Sequence, residues 1–310
     1  MSNAIRYFKA LSDETRLRLT YVLERYELSV NELVSILEMG QSRVSRHLKI
    51  LTEAGLLSSR RDGLWVFYSS VKEGEGAAFL KAAMPFLDED AEMRADVEMA
   101  ARIIEDRALK TRQFFKNPIA EHWDTLSREV LGGFDLAGAV CDTMPEGCDT
   151  SVDLGCGTGI VLERMRGRAR QIIGVDGSPR MLELSRRRLA GVEGEPEGVS
   201  LRIGELSHLP LRDCEADFAS INMVLHHLSN PENALAEIRR VLRSGGLLVV
   251  ADFDRHTQER MRLDYGDLWL GFDEATMARL LHAASFEVVS TTRYPVEQGL
   301  ALNLTLARRL

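Results

Sequence analysis

Cysteine and long apolar runs are both scarce in this 310-residue sequence. The four cysteines form no C-x-x-C pair, so the sequence predicts reduced thiols rather than a disulfide framework. No apolar run approaches the roughly 20 residues that a transmembrane helix needs, and the first residues lack the order of a signal peptide. We therefore expect a cytoplasmic protein that does not enter a membrane.

Positive charge is also scarce overall, since the formal net charge is −8, but its distribution is uneven. Residues 1–72 carry eleven Lys and Arg against eight Asp and Glu, whereas residues 119–310 carry twenty-one against twenty-nine. Any affinity for a phosphate backbone should therefore belong to the N-terminal part. The length allows two domains, each with its own core.

The stretch from Ser151 to Val161 joins a β-branched apolar run to three glycines at alternate positions and then to an apolar helical pattern. This order predicts the strand, tight turn and helix start of a nucleotide-binding α/β unit. The spacing departs from the dinucleotide motif G-x-G-x-x-G because Ile160 stands where its third glycine would fall. A pyrophosphate cradle is therefore the less favoured use.

A second predicted strand ends at Asp176, whose carboxylate could accept hydrogen bonds from both hydroxyls of a ribose. With segments 204–210, 216–219 and 241–246, these features resemble the class I S-adenosylmethionine-dependent methyltransferases over residues 119–310. The resemblance implies a Rossmann-like α/β fold with a seven-stranded mixed sheet whose last two strands are antiparallel. We predict strands at 151–154, 171–175, 199–203, 216–222, 247–253, 287–294 and 300–308.

Ligands bind beyond the carboxyl ends of such strands. By the resemblance, Asp176 would hold the ribose of S-adenosylmethionine or S-adenosylhomocysteine, Glu205 and Leu206 the adenine edge, and the glycines the methionine part. Glu205 replaces the aspartate usual in this family. The predicted cofactor-binding residues are Asp153, Gly155, Cys156, Gly157, Gly159, Asp176, Gly177, Met181, Glu205, Leu206 and Asn222.

His226 and His227 follow the fourth predicted strand of this domain and are the candidates for a catalytic base. Leu-His-His-Leu is frequent at this position in related methyltransferases with dissimilar acceptors, which favours a structural or cofactor-side role. The identity of an acceptor cannot be predicted.

The N-terminal part reads as a winged helix: two short helices, a polar recognition helix after Gly40, and a hairpin at Asp62-Gly63. Residues 8–68 resemble the ArsR-type bacterial repressors, which implies double-stranded operator DNA as a partner. The predicted DNA-binding residues are Gln41, Ser42, Arg43, Ser45, Arg46, Lys49, Arg60 and Arg61.

Metal-sensing members of that family place cysteines in a stretch similar to residues 27–33. Ser29 and Asn31 stand there instead, and neither binds a soft metal usefully. His47 has no second ligand nearby in the sequence. We therefore predict no metal site and an effector recognised elsewhere.

Residues 73–118 read as a helical connector between the winged helix of residues 1–72 and the methyltransferase-like domain of residues 119–310. Apolar residues at 93, 97, 100, 104, 108 and 115 form one stripe. The stripe could pack on the C-terminal domain or pair across a homodimer, which we favour because two symmetric recognition helices reach useful specificity.

Two functions follow from this organisation. In the first, the protein is a transcriptional regulator that acts as a repressor and whose methyltransferase-like domain senses S-adenosylmethionine or S-adenosylhomocysteine. In the second, it is a working methyltransferase that carries a DNA-binding domain. Similar fusions include regulators of the methionine cycle that respond to S-adenosylhomocysteine, which favours the first.

Overall fold

The computed structural model describes residues 3–114, 119–190 and 198–310. The chain divides into two compact units, residues 1–107 and residues 108–310. Among the described residues, no helix combines the length and apolar character needed to cross a membrane. Phe115 of the predicted stripe lies outside the described residues.

The N-terminal unit packs helices against a small antiparallel sheet with strand order β1-β3-β2. Its helices are α1 Asn3–Leu11, α2 Glu14–Leu23, α3 Val30–Leu37, α4 Gln41–Glu53, α5 Gly74–Ala83 and α6 Ala91–Phe114, with a 3-10 turn at Met84–Leu87. Its strands are β1 Leu28–Ser29, β2 Leu57–Asp62 and β3 Trp65–Ser70. Gly63 connects β2 and β3 with φ of +58°, a conformation that favours glycine.

Helix α4 has the two faces that the sequence predicts for a recognition helix. Val44, Leu48 and Leu51 are fully buried in the core of the unit. Helix α3 before it starts at a capping box, in which Ser29 accepts from the backbone N–H of Glu32 and the Glu32 carboxylate accepts from that of Ser29. The residue that stands at a family cysteine position therefore has a helix-capping role.

The apolar stripe of α6 packs on the core of the N-terminal unit. Met93 and Ala100 are buried there, and Val97 and Ile104 are partly buried against the same cluster. These four residues of the stripe therefore contribute to the core of the N-terminal unit, which also includes Leu17 and Leu19 of α2. Pairing of α6 across a homodimer stays a prediction.

A paired charge also fixes α6 to α2. Arg18 donates from Nε and Nη2 to the two carboxylate oxygens of Asp96 at 2.7 and 2.8 Å, and the Asp96 side chain is 5% exposed. Such a fork-to-carboxylate pair is directional. It therefore sets the rotation of α6 about its axis as well as its position.

The C-terminal unit is an α/β fold built on one seven-stranded sheet. Its strands are β4 Cys148–Leu154, β5 Ala169–Asp176, β6 Val199–Ile203, β7 Ala216–Asn222, β8 Leu242–Phe253, β9 Phe286–Pro295 and β10 Ala301–Arg309. Its helices are α7 Ile119–Leu131, α8 Leu136–Cys141, α9 Ile160–Met165, α10 Pro179–Ala190, α11 Pro231–Val241, α12 Arg260–Asp264 and α13 Glu274–Ala283, with 3-10 turns at Leu225–His227 and Glu297–Gly299.

The strand order is β6-β5-β4-β7-β8-β10-β9. The first five strands in this order are parallel, and β10 pairs antiparallel with both β8 and β9. The predicted seven-stranded mixed sheet with an antiparallel end is confirmed. Parallel strands bring their carboxyl ends to one edge, which is where the β4, β5 and β7 termini meet.

Candidate functional site

A cavity of about 450 Å³ opens at the carboxyl edge of the sheet. Clefts of 300–1,000 Å³ are typical of small-molecule sites. Its walls come from the ends of β4, β5, β6 and β7 and from α7. The lining residues are Trp123, Gly155, Gly157, Asp176, Gly177, Ser178, Pro179, Met181, Ile203, Gly204, Glu205, Leu206, Asn222, Met223, Val224, His227 and Leu228.

The glycine turn after β4 is shaped for close approach. The N–H groups of Gly155 and Cys156 both donate to the carbonyl of Val175, at 2.8 and 3.0 Å, which folds the turn back onto β5. Gly155 has φ of +68°, and a Cβ there would come within 2.6 Å of the Val224 side chain. A side chain at residue 155 is therefore excluded by both conformation and space.

Asp176 joins two turns at the edge of the cavity. Its carboxylate accepts from Gly157 N–H at 2.9 Å and from Ser178 N–H at 2.8 Å. Burial raises the pKa of Asp176, while these two bonds oppose the rise and Glu205 adds to it. The carboxylate is thus positioned by the backbone of both turns.

Asp153 lies beneath the turn and is 2% exposed. Its Oδ1 accepts from Ser220 Oγ at 2.6 Å and from Asn222 Nδ2 at 3.1 Å. Burial raises the pKa of Asp153 to about 7, even though both hydrogen bonds lower it. Asn222 therefore faces the cavity from a position fixed by a buried carboxyl.

Helix α7 closes one side of the cavity with Trp123. The next residue, Asp124, accepts from Thr158 Oγ1 at 2.6 Å and from the Arg188 guanidinium of α10. These contacts tie α7 to the glycine turn and to the helix after β5. No sequence motif marks α7, so neither Trp123 nor Asp124 could be predicted as part of the site.

Eight of the eleven predicted cofactor-binding residues line the cavity, namely Gly155, Gly157, Asp176, Gly177, Met181, Glu205, Leu206 and Asn222. The other three stand behind it. Asp153 is buried under Asn222, Gly159 caps α9, and Cys156 packs in the apolar core behind the sheet. Burial raises the pKa of the Cys156 thiol, which disfavours a nucleophilic thiolate.

The two candidate bases occupy different environments. His227 lines the cavity, whereas His226 does not and is only 2% exposed. His226 Nδ1 lies 2.7 Å from Asp252 Oδ1, and its Nε2 lies 3.6 Å from Asp267 Oδ1. His227 Nδ1 lies 3.9 Å from the same Asp267 oxygen.

These surroundings shift the two histidines in opposite directions. Burial lowers the pKa of His226, but Asp252 and Asp267 outweigh it and raise that pKa to about 9. Burial and the neighbouring His226 lower the pKa of His227 well below its ordinary value. A neutral imidazole therefore faces the cavity, and a cationic one is held behind it.

The candidate DNA-binding face is the exposed side of α4. All six predicted residues on this helix are exposed, as the helical spacing requires: Gln41, Ser42, Arg43, Ser45, Arg46 and Lys49. His47 is half-buried, 3.6 Å from Asp13, and burial lowers its pKa. His47 thus belongs to the contact between α4 and the start of α2.

The two wing arginines have different surroundings. Arg61 is exposed near the hairpin turn. Arg60 is only 18% exposed, forms ion pairs with Glu27 at 2.7 Å and Asp62 at 3.2 Å, and stacks over Phe67. Arg60 thus points back into the unit, where two carboxylates balance its charge, whereas the predicted contact of both wing arginines with DNA stays a prediction.

Comparison with known proteins agrees with the division of the chain into an N-terminal and a C-terminal unit. Residues 13–59 match the family described as bacterial regulatory protein, arsR family, and residues 152–250 match the methyltransferase domain family. The chain is 52% identical over 62 residues to the arsenic resistance transcriptional regulator ArsR1 of Pseudomonas putida, a match covering 20% of this chain and 48% of that protein.

Two further similarities concern the C-terminal unit. Demethylmenaquinone methyltransferase of Desulfitobacterium hafniense is 28% identical over 213 residues, covering 63% of this chain and 80% of that protein. A chain from the complex between the Haloferax volcanii Trm112 methyltransferase activator and the putative methyltransferase superposes with a TM-score of 0.54 at 20% identity, covering 64% and 96% of the two chains. The chain spans about half or less of the first curated relatives it matches.

Proposed function

Since the chain joins an N-terminal ArsR-family helix-turn-helix domain to a C-terminal class I methyltransferase domain, we propose that it is a DNA-binding transcriptional repressor with an S-adenosyl ligand as effector. The ligand is S-adenosylmethionine or S-adenosylhomocysteine. One observation carries the proposal. The same chain has an exposed polar face on α4 and a cavity beside the glycine turn, which Asp176 holds in place.

The residues of the cavity fit an S-adenosyl ligand. The Asp176 carboxylate, held by two backbone N–H groups, has acceptor capacity left for ribose hydroxyls. Asn222 Oδ1 is buried at the wall and makes no hydrogen bond to any described residue, so a ligand amine could satisfy it. Apolar side chains of Met181 and Leu206 suit the faces and edge of an adenine.

A second candidate function is methyl transfer by the same domain. His227, neutral at physiological pH, lines the cavity and could accept a proton from an acceptor group. When bound, S-adenosylmethionine would supply the methyl group, and the protein would mainly orient the acceptor in line with it. The operator titration described below distinguishes this function from the sensor.

DNA binding requires a second recognition helix, because one short helix contacts few bases. We propose that the protein binds an inverted repeat as a homodimer, with α4 of each copy in the major groove. Arg43 and Arg46 are the exposed side chains suited to base edges or phosphates, and Arg61 suits the phosphate backbone beside the wing.

Arg43→Ala and Arg46→Ala are expected to weaken operator binding by about 1–3 kcal/mol each where the arginine reads a base. Arg61→Ala is expected to weaken all sequences alike and to reduce the salt slope by about one. Fluorescence anisotropy of labelled operator at several salt concentrations measures both.

The matched control is Arg94→Ala, which removes an exposed arginine of α6 outside the proposed interface. Equal losses in Arg94→Ala and Arg43→Ala would contradict the assignment of the α4 face. A single protected half-site in footprinting would contradict the dimer.

S-adenosylhomocysteine is expected to lower operator affinity by about 5- to 150-fold, the range of typical coupling free energies of 1–3 kcal/mol. An effector acts only if it binds the DNA-competent and DNA-incompetent arrangements unequally. S-adenosylmethionine differs by one methyl group and one positive charge, and we expect it to be the weaker effector. The measurement is operator titration with saturating amounts of each ligand and with none.

Identical operator affinity in all three titrations would contradict the sensor and favour the methyltransferase. Adenosine at the same concentration is a control for nonspecific ligand effects. Replacing Val97 of α6 by proline would not test the coupling between ligand binding and DNA binding. Val97 packs on the N-terminal core, so its replacement would damage that unit directly.

A further inference from the structure

We propose that His226, His227 and Asp267 bind one divalent transition-metal ion of the Zn²⁺ class, with Asp252 orienting His226. The site lies behind the S-adenosyl cavity and is separate from the proposed effector site, apart from the shared His227. The sequence predicts no metal site because thiolates are absent near the recognition helix. The ligands proposed here lie in the C-terminal unit and include no thiolate.

The distances suit a single ion. One ring nitrogen of each histidine and one carboxylate oxygen of Asp267 lie within 4.8 Å of one another. The two edges to Asp267 Oδ1 are 3.6 Å from His226 Nε2 and 3.9 Å from His227 Nδ1. Ligands about 2.0–2.2 Å from a tetrahedral zinc stand roughly 3.4 Å apart, so these two edges would contract by a few tenths of an ångström on binding. His227 Nδ1 also lies 3.3 Å from the Gly266 carbonyl, a contact that it would exchange for the metal.

Asp252 gives His226 a defined tautomer. Its carboxylate, 2.7 Å from Nδ1, accepts the proton of that nitrogen, which leaves the Nε2 lone pair facing Asp267. A carboxylate that orients a ligand histidine through its second nitrogen is a regular feature of zinc sites. A second proton on His226 or a cation between Nε2 and the Asp267 oxygen would make this approach favourable.

The backbone brings the three ligands together from distant parts of the sequence. The histidines end the 3-10 turn after β7, and Asp267 lies in the segment between α12 and α13. The N–H groups of Leu268 and Trp269 both donate to the His226 carbonyl, at 2.9 and 3.0 Å. The Asp267 segment is therefore anchored directly to the histidine turn.

Burial and charge favour a divalent ion. The side chains of Asp252, Asp267 and His226 are at most 2% exposed. When both imidazoles are neutral, as metal binding requires, the carboxylates of Asp252 and Asp267 contribute two negative charges, which one divalent cation would match in place of the proton on His226. Buried charges are stable in proteins when they are paired or bind a metal.

The same residues adjoin a second cavity of about 30 Å³, whose lining combines His226, His227 and Asp267 with mostly apolar side chains such as Met261 and Phe253. This volume is enough for a water molecule. Three protein ligands with water in the fourth position are the usual arrangement of an open zinc site. Two imidazoles and one carboxylate also suit Fe²⁺ and Co²⁺.

The test uses the full chain, treated with a chelator and then desalted. We expect calorimetry to show one Zn²⁺ bound per chain and Co²⁺ to give a visible spectrum that Zn²⁺ abolishes. Asp252→Asn should lower Zn²⁺ affinity about 10- to 100-fold while keeping one site per chain. Asp267→Asn, which keeps the shape but removes the anionic ligand, should lower it further.

His282→Ala is the matched control, since His282 is an exposed histidine on α13 outside the cluster, and we expect its Zn²⁺ affinity to equal that of the wild type. Failure of the wild-type chain to bind Zn²⁺ and Co²⁺ would overturn the proposal, leaving His226 as a protonated partner of its two aspartates. Equal Zn²⁺ affinity in Asp267→Asn and the wild type would overturn it as well. If Asp267→Asn does not fold, the wild-type Co²⁺ spectrum and Asp252→Asn decide.

Discussion

Asp176→Ala is expected to lower the affinity for S-adenosylhomocysteine by at least tenfold, and by about a hundredfold or more if both ribose bonds form. Each charge-assisted hydrogen bond contributes roughly 1.5–3 kcal/mol, and the substitution removes two. It also removes the acceptor for the N–H groups of Gly157 and Ser178, which loosens both turns at the cavity edge. Isothermal calorimetry on the full chain measures the change.

Asp149→Ala is the control for this substitution. Asp149 is a partly exposed aspartate near the start of β4, at the opposite edge of the sheet from the cavity, where it pairs with Arg170 at 2.6 Å. We expect its affinity for S-adenosylhomocysteine to match the wild type. An unchanged affinity in Asp176→Ala would refute the placement of the ligand beside the glycine turn.

Asp153→Asn is expected to stabilise the protein above pH 7 and to leave stability nearly unchanged at pH 4. The folded state raises the pKa of Asp153 from its ordinary 3.8 to about 7, so between these values it holds a proton that the unfolded chain has lost. Stability therefore falls as pH rises through this window, by roughly 4 kcal/mol in total. An asparagine can accept the same bonds from Ser220 and Asn222 through its Oδ1.

The measurement is urea unfolding of wild type and Asp153→Asn at pH 5 and pH 8. The two proteins should diverge toward pH 8, with the variant the more stable. Asp149→Asn is the control with the opposite electrostatics, because Arg170 lowers the pKa of Asp149. A constant stability difference between wild type and Asp153→Asn across this range would show that Asp153 is ionised in the folded protein throughout.

The sheet could be predicted because its signals are local. Each predicted strand overlaps an observed one, since apolar runs and glycine turns mark both ends of a strand. The largest difference is β8, which begins at Leu242 rather than at 247. Residues 244–246, Ser-Gly-Gly, form an irregularity within β8, because Gly245 has φ of +76° and the pairing with β7 skips from Leu242 to Leu247.

The cap of helix α2 shows that the residue capping a helix does not follow from the local sequence alone. Ser12 is a plausible cap for α2, but the side chain that accepts from the Arg16 N–H is that of Asp13. Both residues are good caps, and only the path of the chain between α1 and α2 decides which carboxylate or hydroxyl reaches the helix end.

The parts of the sites that the sequence did not reveal depend on long-range partners. Arg60 is balanced by Glu27, which lies 33 residues earlier, and Asp267 meets His227 from a segment without a motif. Trp123 reaches the cavity only because α7 lies across the sheet edge. Such pairs are set by the tertiary fold, whereas the glycine turn and Asp176 follow from residues close in sequence.

The position of β10 has a consequence for the order of events during synthesis. This strand lies between β8 and β9, although β9 precedes it in the chain. On the ribosome, β9 has no strand to pair with and β8 keeps an open edge until residues 301–309 have left the exit tunnel. Unpaired edges promote association between chains, and domains tend to fold in the order in which they are made. The unit of residues 1–107 can thus mature early, while the unit of residues 108–310 remains exposed to misassembly until β10 is inserted.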